Sequence, residues 1–408
     1  MALLTDDNAV LAQKAGAFYS ESTAIFGEIM GKTEENKMEK IPAVSVIIPV
    51  YNAQKHLEQM LESVMRQSLK EIEIICIDDG STDRSADIIR NLGKKDFRIS
   101  LLTQENLNAG AARNRGLLEA RGEYVLFWDA DDRFREKAAE LLYRKAKSSR
   151  ADVCVCGVCE FTDEEKVYEA DGYLKTALLP GKEVFQKYDL GDHLFDFASN
   201  VLWNKMFRRG FLTDSGIRFQ EIRQANDTAF VMLSMYRAKA VTCVRQMLVY
   251  HRVNNPESLT GRASDTFLCP YESYLCTLGK LKEDPDFPMF QKSFRNKAVL
   301  GMFRALNIQT SFEAYVQLYQ FLKEEGFEAL GIHQCRREEL MEEWMYRDLE
   351  LMKELSAGDF LIYKANERRW DRDQLKYTLR RVRRRLSFLL TWNQRMKKIR
   401  RLLGTGHF

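Results

Sequence analysis

The chain has 408 residues, 45 % of them hydrophobic and 30 % charged, with a formal net charge of +3. That is enough apolar material for one large domain and a smaller one. No run approaches the roughly 18 consecutive apolar residues of a membrane-spanning helix. The acidic pair Asp6-Asp7 stands where a secretory leader needs basic charge, so a cytoplasmic location is expected. Eight scattered cysteines with no disulfide framework around them fit a reducing compartment.

In chain order, residues 1–37 read as a helical extension ending in the polar stretch Gly31-Lys32-Thr33-Glu34-Glu35-Asn36-Lys37. Val44 to Val50 is then a continuous β-branched run, as expected of a strand buried on both faces of a parallel sheet. Leu57, Met60, Leu61 and Val64 follow at helical spacing. A second strand, Ile72 to Ile77, ends in Asp78-Asp79-Gly80-Ser81-Thr82-Asp83, a turn whose side chains suit the cap of the next helix. A third strand spans Ile99 to Leu102, a third helix Ala109 to Ala120 and a fourth strand Tyr124 to Trp128. Such an alternation predicts a mostly parallel sheet flanked by helices, with right-handed crossovers.

Ligands of such sheets bind beyond the carboxyl ends of the strands. Pro49-Val50-Tyr51-Asn52, Asp78-Asp79 and Asp129-Ala130-Asp131-Asp132 all fall there and converge on one crevice. Clustered carboxylates at a strand end are costly unless capped, solvated or neutralised by a hard divalent cation. Mg²⁺ or Mn²⁺ held by one or two carboxylates leaves positions for substrate phosphates, which points to metal-assisted chemistry on a phosphate-bearing substrate. No Walker loop and no Gly-x-Gly-x-x-Gly is present, which argues against an NTPase or a dinucleotide enzyme. Cys154, Cys156 and Cys159 alternate along the apolar run Val153 to Val158 and read as structural thiols rather than zinc ligands.

Four segments stand together: Val-Ser-Val-Ile-Ile-Pro-Val-Tyr-Asn (44–52), Asp-Asp-Gly-Ser-Thr-Asp (78–83), Gly-Ala-Ala-Arg-Asn-Arg-Gly (110–116) and Asp-Ala-Asp-Asp (129–132). Their order and spacing resemble glycosyltransferase family 2, over about residues 43–260. The resemblance implies a GT-A fold, Rossmann-like, and transfer of a sugar from a nucleotide-diphosphate donor, UDP-linked, with inversion. It implies that Pro49, Tyr51 and Asp79 bind the nucleoside, that Arg113 lies near the donor, and that Asp129 contacts the ribose or donor. Asp131 matches the ligand of Mn²⁺ or Mg²⁺. The residues alone also allow helix-cap roles for Asp78 and Asp132 and a packing role for Tyr51.

An inverting transfer needs a base opposite the leaving group, and the family places an acidic residue at the start of a helix for it. Here that is Asp227, 96 positions after Asp131, with Asn226 where the family more often has Glu. An N-cap role for Asp227 and a catalytic role for Glu221 are the alternatives. Trp203 and Lys205, in Trp203-Asn204-Lys205-Met206-Phe207, resemble an acceptor-side segment, although a lone Trp more often packs in a core. His251 and Arg252 match a closing segment, with roles as a metal or phosphate contact or as buried, satisfied side chains.

Strand signals fade after residue 261, and 261–373 reads as a helical region. Residues 374–408 hold eleven Lys/Arg and no Asp/Glu, so the rest of the chain is net acidic. Leu375, Leu379, Val382, Leu386, Leu389, Trp392, Met396, Ile399 and Leu403 form one apolar stripe along this basic tail. The stripe suits an anionic membrane surface, packing on the protein itself, or a partner helix. The expected protein is a metal-dependent hexosyl- or N-acetylhexosaminyl-transferase acting on a glycan or lipid-linked acceptor in cell-envelope polysaccharide synthesis, peripheral at the inner membrane face. No nucleic-acid partner is expected. A catalytically silent sugar-nucleotide or glycan binder is the alternative.

Overall fold

A computed structural model of the chain describes residues 41–162, 166–253 and 264–367. Expectations for residues 1–37 and for the basic tail 374–408 lie outside the described residues. The first half alternates as the sequence predicts: β1 (Val44–Val50), α1 (Leu57–Met65), β2 (Ile72–Asp78), α2 (Ser85–Gly93), β3 (Ile99–Thr103), α3 (Ala109–Glu119) and β4 (Tyr124–Phe127). β5 (Arg133–Phe134), α4 (Ala138–Ser148), β6 (Val153–Phe161) and β7 (Val167–Glu169) follow. Then come β8 (Lys205–Arg208), α5 (Arg209–Ser215), α6 (Asn226–Arg237) and β9 (Val241–Arg252). The chain continues in α7 (Cys269–Lys282), α8 (Gln291–Asn307), α9 (Phe312–Phe321) and α10 (Glu343–Glu354), and a last helix covers 357–367.

Among the described residues the strands form one sheet in the order β3-β2-β1-β4-β8-β6-β9-β5, with β7 on β6. The order β3-β2-β1-β4 is parallel throughout. Beyond β4 the sheet is mixed, because β8 runs antiparallel to both β4 and β6 while β6 and β9 run parallel. The expectation of a mostly parallel sheet therefore holds for the first half alone. The physical reason is that the chain passes from β6 and β7 to β8 through residues 170–204, which hold only short helical turns and no long crossover helix, so β8 returns antiparallel to β6.

Period-2 alternation splits the core. Val44, Val46, Ile48 and Val50 of β1 face α1, α4 and one apolar cluster. Ile47, with Ile75 and Ile77 of β2, faces the other, which contains Phe230 of α6 and runs on into α7, α8 and the later helices. The region after 261 thus shares its core with one face of the sheet. Gly116 lets α3 lie on that face, since a Cβ there would come within 2.5 Å of Ile47 and 2.7 Å of Ile77. No helix among the described residues is long and apolar enough to cross a membrane.

Candidate active site

The β1–α1 and β2–α2 loops grip each other before any ligand is considered. Asn52, in the left-handed region at φ 48°, accepts at its side-chain oxygen from the Thr82 amide (2.8 Å), and its own amide donates to Ser81 (3.0 Å). The Gln54 amide donates to Asp83 (3.0 Å), and the Ala53 amide to Ser85 (2.9 Å). Pro49 and Tyr51 end β1 beside this clamp, and the Tyr51 ring is half exposed. Asp79 is buried. Its carboxylate accepts from Gln104 (2.7 Å) and from the amides of Leu107 (3.0 Å) and Asn108 (2.9 Å). Both oxygens are engaged by the chain itself, so Asp79 shapes the wall where a nucleoside would lie. Asp78 accepts from Ser81 (3.2 Å) within the turn.

The acidic loop is closed at its base by aromatic stacking. Trp128 and Phe134 lie 3.7 Å apart and nearly parallel, an arrangement worth about 0.5–1.5 kcal/mol beyond its buried area. β5 then pairs with Val249 and Tyr250 of β9, so the loop ends alongside the carboxyl end of β9. Asp132, fully buried, accepts at Oδ1 from the Arg252 amide (2.8 Å) and lies 2.9 Å from His251 Nδ1. Arg252 Nε donates to the Asp131 carbonyl (3.0 Å), and its guanidinium sits 4.5 Å over Phe161. Asp132 is therefore no helix cap, and Arg252 ties the main chain of the acidic loop to β9. His251 stacks on Trp203 at 4.6 Å, and Tyr173 meets both rings. Burial opposes protonation of His251, but Asp132, Asp129 and Asp131 outweigh it and raise its pKa.

Arg113 of α3 joins the two sides of the crevice. One guanidinium nitrogen donates to Asp129 and another to Asn226, each at 2.7 Å. Ala225 precedes Asn226 in the left-handed region at φ 56°, a conformation costing an alanine about 1–2 kcal/mol. That turn aims the first residues of α6 at Arg113. Asp227 occupies the second helical position, so it is not the N-cap. Burial raises the Asp227 pKa and Asp129 adds to the rise, while Arg113 and Lys205 oppose it. α6 itself is a rigid platform, with ten of its twelve residues buried. Asn114 fixes the approach to it by pairing both ways with the Phe219 backbone (2.9 and 3.0 Å).

Residues 45–211 match the family model described as glycosyl transferase family 2. The chain carries a glycosyltransferase family 2 domain. An uncharacterised glycosyltransferase, EpsJ of Bacillus subtilis, is 32 % identical over 54 % of this chain and 63 % of that protein. The cholesterol galactosyltransferase of Borreliella burgdorferi is 34 % identical over 49 % of this chain and 57 % of its own length. The GalNAc(5)-diNAcBac-PP-undecaprenol β-1,3-glucosyltransferase of Campylobacter jejuni is 29 % identical over 60 % and 75 %. The chain thus spans about three-fifths of the length of the first two of these relatives. In the fold, the solved structure of S. aureus TarS 1–349 with UDP-GlcNAc gives a TM-score of 0.60 at 18 % identity, over 80 % of this chain and 91 % of that one. The fold is that of a GT-A glycosyltransferase.

Within this family 2 domain and its flanking helices, the sequence-predicted residues divide. Arg113 bonds Asp129 and Asn226 directly, and Asp227 follows Asn226 on α6, within reach of the charges of Arg113 and Asp129. Asp131 and His251 lie on the two segments that Asp132 and Arg252 join. Trp203 is 4 % exposed and spends a ring face on His251, so it packs rather than offering that face to a sugar. Lys205 is fully buried, and its ammonium donates to the carbonyls of Ser199 (2.8 Å) and Val201 (2.7 Å) and to Asn204 (2.7 Å). Burial, with Lys297 nearby, pushes its pKa down to about 7. Its role as an acceptor contact is replaced by that of a clamp on the 199–201 backbone. Asn226, Asp132 and Tyr173 are the residues that sequence reasoning missed. The signal for the first was its place beside Asp227, where the family more often has Glu.

Proposed function

We propose that the protein is a metal-dependent inverting glycosyltransferase that moves a sugar from a UDP-sugar to a hydroxyl of a glycan or lipid-linked acceptor. The observation that carries this reading is the Arg113 bridge from Asp129 to Asn226, the residue before Asp227, which supports Asp129 as the donor-side carboxylate and Asp227 as the base. Asp227 takes the proton of the acceptor hydroxyl. That oxygen forms the new bond to the anomeric carbon as the bond to the diphosphate breaks on the opposite face, and the electron pair leaves with the nucleotide. A raised Asp227 pKa suits a base that must hold the proton through the transition state. The half-exposed Tyr51 and the clamped loops at 49–54 and 78–85 supply the nucleoside wall.

The donor set fits a hard divalent cation. Among the described residues no three His, Cys, Asp or Glu side chains converge on one point, so a cation there would take few protein ligands and would leave positions for substrate phosphates and water. Asp131 and His251 would hold it, because Asp132 occupies the Nδ1 side of His251 and leaves Nε2 as the ligating nitrogen. Bound there, Mn²⁺ or Mg²⁺ supplies positive charge against the negative charge developing on the leaving diphosphate. UDP as carrier is supported by the UDP-GlcNAc complex of the TarS fold relative, and a lipid-linked acceptor by the name of the Campylobacter relative. On this reading residues 38–260 carry the chemistry, 261–373 form a helical flank, and 374–408 meet the inner face of the membrane.

The test is nucleotide release from a UDP-sugar panel with Mn²⁺ or Mg²⁺. Wild-type protein should release UDP from one or two donors, and release should stop with EDTA and return with added metal. A chain that binds UDP yet releases none from any donor, with or without acceptor, behaves as a silent binder and overturns the reading.

A further inference from the structure

α8 presents Lys297, Gly301 and Arg304 on one face, four and three residues apart. That face meets α7 at Tyr274. A Cβ on Gly301 would lie 2.4–2.6 Å from Cε2, the hydroxyl and Cζ of Tyr274, so the ring and its hydroxyl rest directly on the helix one turn before Arg304. The same hydroxyl accepts from the side chain of Asn200 (3.4 Å). Asn200 is itself held in place from both sides. Lys297 donates to the carbonyl of Ala198 (3.2 Å), and Lys205 grips those of Ser199 and Val201. α7 packs along α6, and the charges of Asp227 and Arg304 both act on the Tyr274 hydroxyl.

Lys205, Lys297 and Arg304 therefore act on one another in turn, and Lys205 acts on the base. Burial depresses two of them: Lys205 to about 7, with Lys297 adding to the fall, and Lys297 to about 8, with Lys175 and Arg304 adding to the fall against Asp196. Arg304 is exposed and makes no hydrogen bond or ion pair among the described residues. An arginine fork set next to two cations that already repel one another is favourable when an anion arrives, and its planar donors match a phosphate bidentately. An exposed arginine on its own is ordinary. The clamped Asn200 and the Tyr274 hydroxyl, whose proton has no acceptor among the described residues, make this one part of a built polar wall.

We propose that Asn200, Tyr274 and Arg304 form an acceptor subsite that binds a phosphate group borne next to the hydroxyl being glycosylated. The inference rests on the glycosyl-transfer reading of Asp227, and it makes the helical region after residue 261 a wall of the site. Asn200 and Tyr274 orient the acceptor, and Arg304 selects its charge.

The test is titration of the full chain with methyl phosphate while UDP and Mg²⁺ saturate the donor site. Wild type should bind, Arg304→Ala should weaken binding at least about tenfold, and Arg304→Lys should restore part of it, with UDP affinity unchanged in each. Tyr274→Phe, which keeps the ring against Gly301, should weaken it severalfold. Equal affinity in wild type and Arg304→Ala, or no binding in wild type, overturns the proposal. If UDP itself fails to bind, the donor reading fails while the phosphate titration still reports on the subsite. Decyl phosphate separates the two sources of such a group. Much tighter, Arg304-dependent binding than methyl phosphate assigns the anion to a lipid-borne acceptor, and equal affinity to a soluble phosphorylated glycan.

Discussion

The two walls of the crevice are built in different ways. The proposed nucleoside wall, from β1 to α3, is local: its loops at 49–54, 78–85 and 104–108 bond one another over separations of about thirty residues, through backbone amides. The opposite wall is assembled from afar. Arg113 reaches Asn226 across 113 positions, Asp132 reaches His251 across 119, and Asn200 reaches Tyr274 across 74. The first wall is shaped before a ligand arrives. The second depends on the whole fold being correct, so the residues proposed to meet the acceptor are coupled to global packing.

The largest effect should come where the far-assembled wall carries the reacting proton. Asp227→Asn should cut transfer by about 10²–10⁴-fold while UDP binding persists. The pH profile tests the same residue. A base works ionised, and burial with Asp129 raises the Asp227 pKa. Activity should therefore fall as pH drops through a value above the ordinary carboxylate range, and the fall should begin closer to neutrality than for an exposed aspartate. Asp129→Asn removes one raising charge and should move that acid limb to lower pH. An unmoved limb would detach Asp129 from Asp227 and break the comparison at its centre.

Asp132→Ala probes the second long-range link. It leaves His251 without the carboxylate at Nδ1, so Mn²⁺ affinity in the presence of UDP should drop about 10–100-fold. Asp132→Asn keeps an acceptor oxygen for the Arg252 amide and should fall between. Electron paramagnetic resonance of free Mn²⁺ measures this without turnover. Unchanged affinity in both variants would remove His251 from the metal site.

The same contrast explains what could be read from the sequence. β1 and β2 are legible because each is rich in β-branched residues with a turn motif at its end, while the proposed roles of Asp131 and Asp227 come from the family resemblance. Burial decided the rest. Lys205 and Trp203 sit in a motif that suggests acceptor contact, yet one clamps carbonyls and the other supports His251. Asp79 carries the expected position but gives its oxygens to Gln104, Leu107 and Asn108. Asn226 and Asp132 look like a substituted glutamate and a cap, and only their partners more than a hundred residues away show otherwise. The mixed half of the sheet was invisible because β8 is four residues long, too short for its direction to be read.

Gly110→Ala acts at the seam between the walls. Its Cβ would come within 2.1 Å of the Gln220 carbonyl, so α3 and the 219–226 segment must part. We expect a loss of about 1–3 kcal/mol by urea unfolding, with kcat falling more than donor affinity because Arg113 and Asp227 separate. Asn52→Gly is the counterpart inside the nucleoside wall and should give the smallest effect. Glycine tolerates φ 48° without strain, and the lost bond to the Thr82 amide is exposed, so water takes the amide and the cost is about 0.5–1 kcal/mol. Its functional effect should be confined to a modestly higher KM for the donor, with kcat and the acid limb of the pH profile unmoved. A shift in that limb would mean that the two walls communicate through the β1 loop, and the division between a local and a far-assembled half would fail.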